Sequence, residues 1–149
     1  MRIRPLWLRL RAKLWPRRAP RYRGSRGVGQ RWEALAEKRL RAAGYRIRER
    51  NFRGRFGEID IVAEESGMLC FVEVKGRSGP GFGEPAEAVT LDKQRRIAIV
   101  AQEYLRRRRV RASTLCRFDV VAVFTNGART DVSILRGAFT LPGSDGVLN

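Results

Sequence analysis

A charged hairpin is the feature of this sequence that most constrains its fold. Residues 57–77 read GEIDIVAEESGMLCFVEVKGR, in which two apolar segments flank a break centred on residues 65–68. This pattern predicts two β-strands joined by a tight turn. Four charged side chains lie inside these strands: Glu58, Asp60, Glu73 and Lys75. Because an unpaired charge is costly to bury, the hairpin needs either a solvated face or a ligand that compensates the charge.

The position of the turn predicts how the two strands face each other. With the turn centred on residues 65–68, Asp60 is expected opposite Glu73, and Glu58 opposite Lys75. These four residues share one parity and are expected on one face, with the apolar set on the other, in the core. That apolar set consists of Ile59, Ile61, Val72 and Val74.

Asp60 and Glu73 are the costly pair in this arrangement. Opposed Cβ atoms lie about 5 Å apart, where two like charges destabilise a sheet. A divalent cation would reverse that effect, because it needs several oxygen ligands at one point. The alternative is a solvated face on which Glu58 and Lys75 form a surface ion pair.

Two predicted helices flank the hairpin, and each offers a candidate site residue. Residues 29–44 have helical periodicity, with Glu33 at the edge of the apolar stripe. Residues 91–108 form a second periodic segment, in which Gln94 shares the apolar face. Structural explanations stay open for both: a helix-surface carboxylate for Glu33, and a glutamine satisfied by backbone groups for Gln94.

The order of the predicted elements is helix, three strands, helix, two strands. The strands outside the hairpin are YRIRERNF, which alternates like a half-exposed edge strand, RFDVVAVF and DVSILRGAF. This order predicts an α/β protein with a mixed sheet and helices packed on it. We expect one domain at residues 29–140, a basic N-terminal arm at 1–28 and a frayed tail at 141–149.

The charge balance narrows the choice of partners. The chain has 149 residues and a formal net charge of +17, from 32 basic and 15 acidic side chains. This excess favours nucleic acid, an anionic membrane surface or an acidic protein. The sequence contains no histidine, which excludes a Ser-His-Asp triad and histidine-bound zinc. An enzyme of this composition would use carboxylates, lysine, hydroxyls or an oxygen-ligated metal.

Cysteine use and hydropathy favour a cytoplasmic protein. Cys70 and Cys116 lie in apolar strand-like segments and are expected to be core residues in a reducing compartment. We find no apolar run of the roughly 18 residues that a membrane span requires. The arginine-rich N-terminus also lacks the apolar segment of a secretory signal.

The basic arm allows three interpretations. Residues 1–28 contain nine arginines, one lysine and no acidic residue. The arm is a disordered tail, a nucleic-acid-binding arm or a membrane-surface helix. The last interpretation rests on four apolar side chains at the start of the arm, Trp7, Leu10, Leu14 and Trp15.

The charged residues resemble the site of the PD-(D/E)xK nuclease superfamily, which has an aspartate at a strand end, a Glu-x-Lys tripeptide and a helical glutamate. Here these are Asp60, the tripeptide Glu73-Val74-Lys75 and Glu33. The element order resembles the restriction endonuclease-like core of that superfamily. More closely, the chain resembles the YraN-like family of uncharacterised bacterial proteins, akin to Holliday junction resolvases. The matching segments are EALAEKRLRAAGYRIRERNFR, GEIDIV, FVEVKGRS, EAVTLDKQRRI and RFDVVAV.

The resemblance implies a role for each candidate residue. Asp60 and Glu73 would ligate Mg²⁺ or Mn²⁺, and Glu33 would add a ligand through water or to a second metal. Lys75 would orient or help to deprotonate the attacking water, and Gln94 would contact the site from the second helix. The chain departs from the family pattern where Trp32 replaces the small residue expected before the glutamate.

Three further positions have weaker signals. Arg77 and Lys93 can hold a nucleic-acid phosphate, with solvated surface charge as the alternative. Asp119 is also part of the family pattern, and we interpret it as structural, bonded to Arg117 or to a helix end. The glycine-rich loop expected at residues 76–85 lacks the features of a phosphate-binding loop, and a flap over the site is one interpretation of it.

These observations leave three functional hypotheses. The first is a Mg²⁺- or Mn²⁺-dependent nuclease that acts on DNA, with branched or damaged DNA as candidate substrates. The second is a nucleic-acid-binding protein of the same fold without the chemistry. The third is a membrane-surface protein anchored by the arm. A homodimer, which resolvase-like relatives often form, stays open.

Overall fold

A computed structural model describes residues 26–79 and 89–140 of the chain. It contains two helices and five strands in the predicted order. The elements are α1 (Arg26–Ala42), β1 (Arg46–Gly54), β2 (Gly57–Glu65), β3 (Met68–Ser78), α2 (Leu91–Arg107), β4 (Cys116–Asn126) and β5 (Arg129–Phe139). The predicted α/β class and the order helix, three strands, helix, two strands are therefore confirmed.

The five strands form one mixed sheet in the order β1-β2-β3-β4-β5. Neighbouring strands are antiparallel except β3 and β4, which are parallel. A parallel pair needs a crossover connection, and α2 lies on that connection. The arrangement is consistent with a restriction endonuclease-like core, and β1 is an edge strand as its alternating pattern predicted.

The helices cover opposite faces of the sheet, so the described domain has three layers. The α1 side buries Ala36, Leu40, Tyr45, Ile61, Ala63, Cys70, Val72, Val121 and Val123. The α2 side buries Phe52, Ile59, Val62, Leu69, Phe71, Ile97, Ala98, Val100, Ala101, Tyr104, Cys116 and Phe118. Both cysteines are buried and unbridged, as expected of core residues.

One strand departs from regular alternation beside the candidate site. The sequence placed Ile59 on the same face as Ile61, but Ile59 packs on the α2 side and Ile61 on the α1 side. Residues two apart on a regular strand share a face, so the pleat of β2 is irregular at Asp60. Opposite this point, β1 contains Asn51 with a φ of 50°. The prediction for Ile59 was wrong because it assumed an unbroken pleat.

The other boundaries differ little from those predicted. The first helix begins at Arg26 rather than at residue 29, and residues 76–78, expected in a loop, end strand β3. The expectations for residues 1–25, for the loop at 80–88 and for the tail at 141–149 lie outside the described residues. Neither described helix is both long enough and apolar enough to cross a membrane.

Candidate metal centre

The candidate site lies where β2 and β3 separate. Their pairing runs from Glu65–Met68 to Ile61–Val72, in the register that the turn predicted. Beyond this point β2 continues to pair with β1, while β3 pairs with β4 as far as Ser78. We call this divergence the fork. Asp60 and Glu73 are the first residues of its two arms.

The fork corrects one predicted pair. Glu58 was expected opposite Lys75, but it lies opposite Arg53 of β1, with 3.6 Å between the Arg53 Nε and a Glu58 carboxylate oxygen. Lys75 instead reaches Glu73, with its Nζ 3.2 Å from Oε1. The surface ion pair between Glu58 and Lys75, which belonged to the alternative of a solvated face, does not form because the strands have already diverged there.

Asp60 uses one carboxylate oxygen to bridge the fork. Its Oδ2 accepts a hydrogen bond from the backbone N–H of Val74 at 2.7 Å. A side chain thus takes the role that a backbone carbonyl has in a regular ladder. Burial raises the pKa of Asp60 well above its usual range, and the negative charge of Glu73 raises it further. The site therefore holds a carboxylate whose ionised form lacks sufficient compensation.

Glu73 is buried, with 5% of its surface exposed. Its Oε1 lies 3.2 Å from the Nζ of Lys75 and 3.1 Å from the Nζ of Lys93. Its Oε2 is buried and has no hydrogen-bond partner among the described residues. Buried oxygens are rarely left unpaired, and carboxylate oxygens are the ligands that Mg²⁺ and Mn²⁺ favour. The unpaired Oε2 of Glu73 and the neighbouring carboxylate of Asp60 are therefore candidate ligands for a hard divalent cation.

Glu33 approaches Asp60 from the α1 side. A cleft between α1 and the first two strands is lined by Gln30, Glu33, Ala34, Glu37, Arg50, Asn51, Asp60 and Ile61. In it, the side-chain amide of Asn51 donates to Glu33 Oε2 at 3.2 Å. The negative charge of Glu33 also contributes to the raised pKa of Asp60. Asp60 is thus influenced by carboxylates on both sides of the sheet.

The three carboxylates do not gather at one point. Within residues 26–79 and 89–140, no group of three or more His, Cys, Asp and Glu side chains is arranged to hold a metal. Glu33 shares a cleft with Asp60, whereas Glu73 lies at the fork with Lys75 and Lys93. A ligand role for Glu33, through water or at a second metal, stays a prediction.

The start of α2 brings Lys93 to the site. Thr90 caps the helix, and its hydroxyl accepts from the backbone N–H of Lys93 at 3.4 Å. The amide nitrogen of Gln94 donates to the carbonyl oxygen of Val89 at 3.0 Å. This is the backbone-satisfied arrangement that the sequence left open, and the proposed contact of Gln94 with the site stays a prediction. Arg77 is exposed near the end of β3 and also stays a predicted phosphate contact.

Sequence reasoning missed two contacts at this site. Lys93 was considered only for phosphate, yet it pairs with Glu73. Asn51 was not singled out, although asparagine inside a strand segment signals an irregular backbone. The pairing of Lys93 depends on how α2 crosses the sheet, and no local pattern contains that information.

Asp119 belongs to a separate structural network, as the sequence predicted. It is fully buried and accepts hydrogen bonds from Arg117 Nε at 2.8 Å, from the Tyr45 hydroxyl at 2.9 Å and from the Gly137 backbone at 2.9 Å. Burial, followed by the charge of Asp119, raises the pKa of Tyr45. These contacts tie β4 to β5 and to the segment that follows α1.

Comparison of the sequence with those of known proteins places this chain in a family. The model of "Uncharacterised protein family UPF0102" matches residues 32–123. A UPF0102 protein of Rhodococcus opacus (strain B4) is 47% identical over 113 residues, which cover 75% of this chain and 95% of that protein. One from Lachnoclostridium phytofermentans is 46% identical over 112 residues, covering 75% of this chain and 92% of that protein.

A third relative gives the same result. The UPF0102 protein STH1475 of Symbiobacterium thermophilum is 52% identical over 99 residues, covering 66% of this chain and 83% of that protein. These matches confirm the resemblance to the YraN-like family. The chain therefore belongs to the uncharacterised protein family UPF0102.

Proposed function

We propose that this protein is a metal-dependent nuclease that hydrolyses phosphodiester bonds of DNA. The observation that carries the proposal is the fork, where Asp60 and Glu73 begin the two arms, the charge of Glu73 helps to raise the pKa of Asp60, and the buried Oε2 of Glu73 has no partner among the described residues. A cation-binding role explains why two carboxylates occupy positions where, without a cation, they raise the free energy of the folded state. The basic charge of the chain supports a polyanionic substrate.

The residues divide into cation ligands and helpers. Asp60 and Glu73 would hold Mg²⁺ or Mn²⁺, with Glu33 adding a ligand through water or to a second metal. A bound divalent cation supplies charge neutralisation at the phosphate and lowers the pKa of water. Within the fork, the carboxylates would fix the position of that charge, so that no reorganisation is needed during the reaction.

Two lysines contact Glu73, and they would have different roles in the reaction. Lys75 lies on the same strand as Glu73, and its ammonium group would orient the attacking water. Lys93 comes from α2 and would contact a phosphate oxygen, together with Arg77. Gln94, one residue further along α2, would contact the site from the same side.

The second candidate function is nucleic-acid binding without hydrolysis. One observation favours it: Glu73 is already paired with Lys75 and Lys93, so part of the charge at the fork is compensated without a cation. In this alternative the two lysines are structural partners of a buried carboxylate. DNA binding would then be independent of divalent cations.

Calorimetric titration with Mn²⁺ distinguishes the two candidates. We expect saturable binding by the wild-type protein and its loss in Asp60→Asn and Glu73→Gln. Glu58→Gln is the matched control, because Glu58 is an exposed carboxylate two residues from Asp60 and pairs with Arg53. This control should retain the wild-type affinity.

The same variants then test hydrolysis on branched, nicked and single-stranded DNA with Mg²⁺ or Mn²⁺. Cleavage that requires the cation and both carboxylates would support the nuclease. Cleavage that persists unchanged in Asp60→Asn and Glu73→Gln would rule out the mechanism. DNA binding with neither Mn²⁺ binding nor cleavage would leave the non-catalytic candidate.

A further inference from the structure

A ridge of arginines lies where α2 ends beside the turn between β1 and β2. We call it the basic ridge; it consists of Arg53, Arg55, Arg106, Arg107, Arg108 and Arg109. Arg107 Nη1 donates to the backbone carbonyl of Arg53 at 3.1 Å, and the backbone N–H of Arg55 donates to Glu103 Oε2 at 2.7 Å. These contacts join two segments that are distant in sequence into one surface.

Part of the basic ridge is fixed by ion pairs. Arg108 makes two hydrogen bonds to the carboxylate of Glu49, at 2.9 Å and 2.7 Å. Arg107 pairs with Glu103 one helical turn away. Such pairs restrain the side chains and hold α2 against the edge strand β1.

The remaining charge of the ridge is not neutralised. Arg106 and Arg109 are exposed, and neither side chain has an ion pair with any residue in the described part of the chain. Arg53 is 74% exposed and lies 3.6 Å from its nearest carboxylate oxygen, in Glu58. Arg106 and Arg109 lie three residues apart at the end of the helix, where their like charges repel each other.

The basic ridge and the fork are connected by α2. Lys93 at the start of this helix pairs with Glu73, and Arg106 lies near its end, about 20 Å further along the helix axis. A nucleic-acid strand with one phosphate at the fork would therefore reach the ridge several nucleotides away. We propose that the basic ridge binds the phosphate backbone of DNA that flanks the fork, which rests on the DNA partner in the proposed function.

A matched pair of variants tests this surface. Arg106→Gln/Arg109→Gln removes two charges from the ridge, and Lys38→Gln/Arg39→Gln removes two exposed charges from α1. Affinity for a short DNA duplex is measured over a range of salt concentrations in the presence of a chelator. For the ridge variant we expect the slope of log K against log[salt] to fall by about 0.9 for each phosphate that is no longer neutralised. The α1 variant should keep the wild-type slope, and thermal unfolding should be unchanged in both.

The outcomes separate the ridge from the general charge of the chain and from the chemistry. Equal losses of affinity in the two variants would mean that net charge alone controls binding, and would overturn the inference. A wild-type slope in the ridge variant would overturn it as well. A selective decrease in a protein that cleaves no DNA would uphold the ridge while the nuclease proposal fails.

A second inference rests on a different observation, the backbone of Asn51. Its φ of 50° lies in the left-handed region, which asparagine tolerates better than most residues. The pairing of β1 with β2 passes from Arg50–Ile61 to Phe52–Ile59, so Asn51 lies opposite Asp60 at the irregular step of the pleat. The left-handed conformation of Asn51 thus occurs directly opposite Asp60, at the point where the fork begins.

The side chain of Asn51 contacts Glu33 in the cleft between α1 and the first two strands. Its amide donates to Glu33 Oε2 at 3.2 Å, and Asn51, Glu33 and Asp60 line one cleft. We propose that Asn51 is a positioning residue that directs the Glu33 carboxylate toward the metal centre. The inference deepens the proposed function, because it assigns to Asn51 the outer contact that orients a metal-binding carboxylate.

A double-mutant cycle on Mn²⁺ affinity tests this role. Asn51→Gly removes the amide donor, and glycine adopts the left-handed conformation without steric cost. We expect a loss of roughly 10-fold in Mn²⁺ affinity. Combined with Glu33→Ala, Asn51→Gly should cause no further loss, because its acceptor is gone. Ser66→Gly is the control, since Ser66 has a φ of 52° in the turn between β2 and β3.

Each outcome has a distinct meaning. Equal losses of Mn²⁺ affinity from Asn51→Gly with and without Glu33 would show that Asn51 does not act through Glu33, and would overturn the inference. Wild-type affinity in Asn51→Gly would do the same while the metal centre stands. A wild-type protein that binds no Mn²⁺ would remove the metal centre itself, and this inference with it.

Discussion

Two aspartates of this protein, the buried Asp119 and the half-buried Asp60, have opposite relations to their surroundings. Asp119 accepts hydrogen bonds from Arg117, from Tyr45 and from a backbone amide. Asp60 receives one backbone hydrogen bond and faces the negative charge of Glu73, and burial raises its pKa. The first carboxylate stabilises the fold, whereas the second destabilises it at neutral pH in the absence of a cation.

Asp60→Asn is expected to stabilise the metal-free protein. The folded-state pKa of Asp60 lies above its unfolded value, so the wild type loses stability as pH rises from the ordinary aspartate range through the raised pKa. A tenfold change in an acid dissociation constant corresponds to about 1.4 kcal/mol, and burial with the charge of Glu73 raises the pKa of Asp60 to about 8, so the gain above that pKa amounts to several kcal/mol. The gain should vanish in acid. Urea unfolding with a chelator at several pH values measures it, and a less stable variant at alkaline pH would contradict this view of the site.

Asp119→Ala is expected to lower the free energy of unfolding by about 3–5 kcal/mol, the usual cost of breaking a buried ion pair. The substitution removes the acceptor of Arg117 Nε and of the Gly137 N–H, and leaves Glu65 as the remaining carboxylate partner of Arg117. The same urea experiment measures the decrease. Mn²⁺ affinity of the remaining folded protein should be unchanged, and a large drop in that affinity would place Asp119 in the metal centre instead.

At the scale of elements, α1 is seated on the strand that carries Glu73 and Lys75. A Cβ atom added to Gly76 would lie 1.8 Å from Cε3 of Trp32. The indole thus packs directly on the backbone of β3, one residue after Lys75. The large residue at position 32, where the family pattern led us to expect a small one, is accommodated because position 76 has no side chain.

Gly76→Ala is expected to displace α1 and to destabilise the protein by about 1–3 kcal/mol, as overpacking usually does. It should also weaken Mn²⁺ binding, because Glu33 adjoins Trp32 and Lys75 adjoins Gly76. Adding Trp32→Leu should recover part of the stability and of the affinity by making room for the methyl group. Urea unfolding followed by circular dichroism and calorimetry provide the two measurements. A failure of Trp32→Leu to restore either property would mean that the packing of Trp32 on Gly76 does not set the position of α1.

At the scale of the whole molecule, much of the positive charge lies outside the described domain. Residues 1–25 contain nine basic side chains and no acidic one. The proposed metal ligands Glu33, Asp60 and Glu73 lie within the described residues. Charge and chemistry are therefore separable by truncation.

Removal of residues 1–25 is expected to weaken DNA binding uniformly across sequences and to reduce its salt dependence, because fewer phosphates are neutralised. The Mn²⁺ isotherm should not change. Filter binding at several salt concentrations and calorimetry check the two parts. Binding to anionic liposomes by the full chain, abolished on truncation with DNA binding intact, would favour a membrane-surface role for the arm.

The sequence predicted the fold better than the site, for a physical reason. The helices, strands and hairpin register follow from local periodicity and from the glycine turn, and they are confirmed. The fork forms because β2 continues to pair with β1 while β3 pairs with β4. The face of the sheet on which Ile59 lies depends on the backbone conformation of Asn51. The pairing of Lys93 with Glu73 depends on the path of α2. None of these is encoded within a short window of sequence.

The hydrogen bond from Val74 to Asp60 makes one amide a reporter on the whole fork. Its acceptor is a titratable side chain rather than a peptide carbonyl. The nitrogen and proton resonances of Val74 should therefore respond to protonation of Asp60, to cation binding and to separation of the two strands, in one isotope-labelled spectrum. The irregularity that ends the β2–β3 ladder thus provides an intrinsic probe of the state of the site, without any added label.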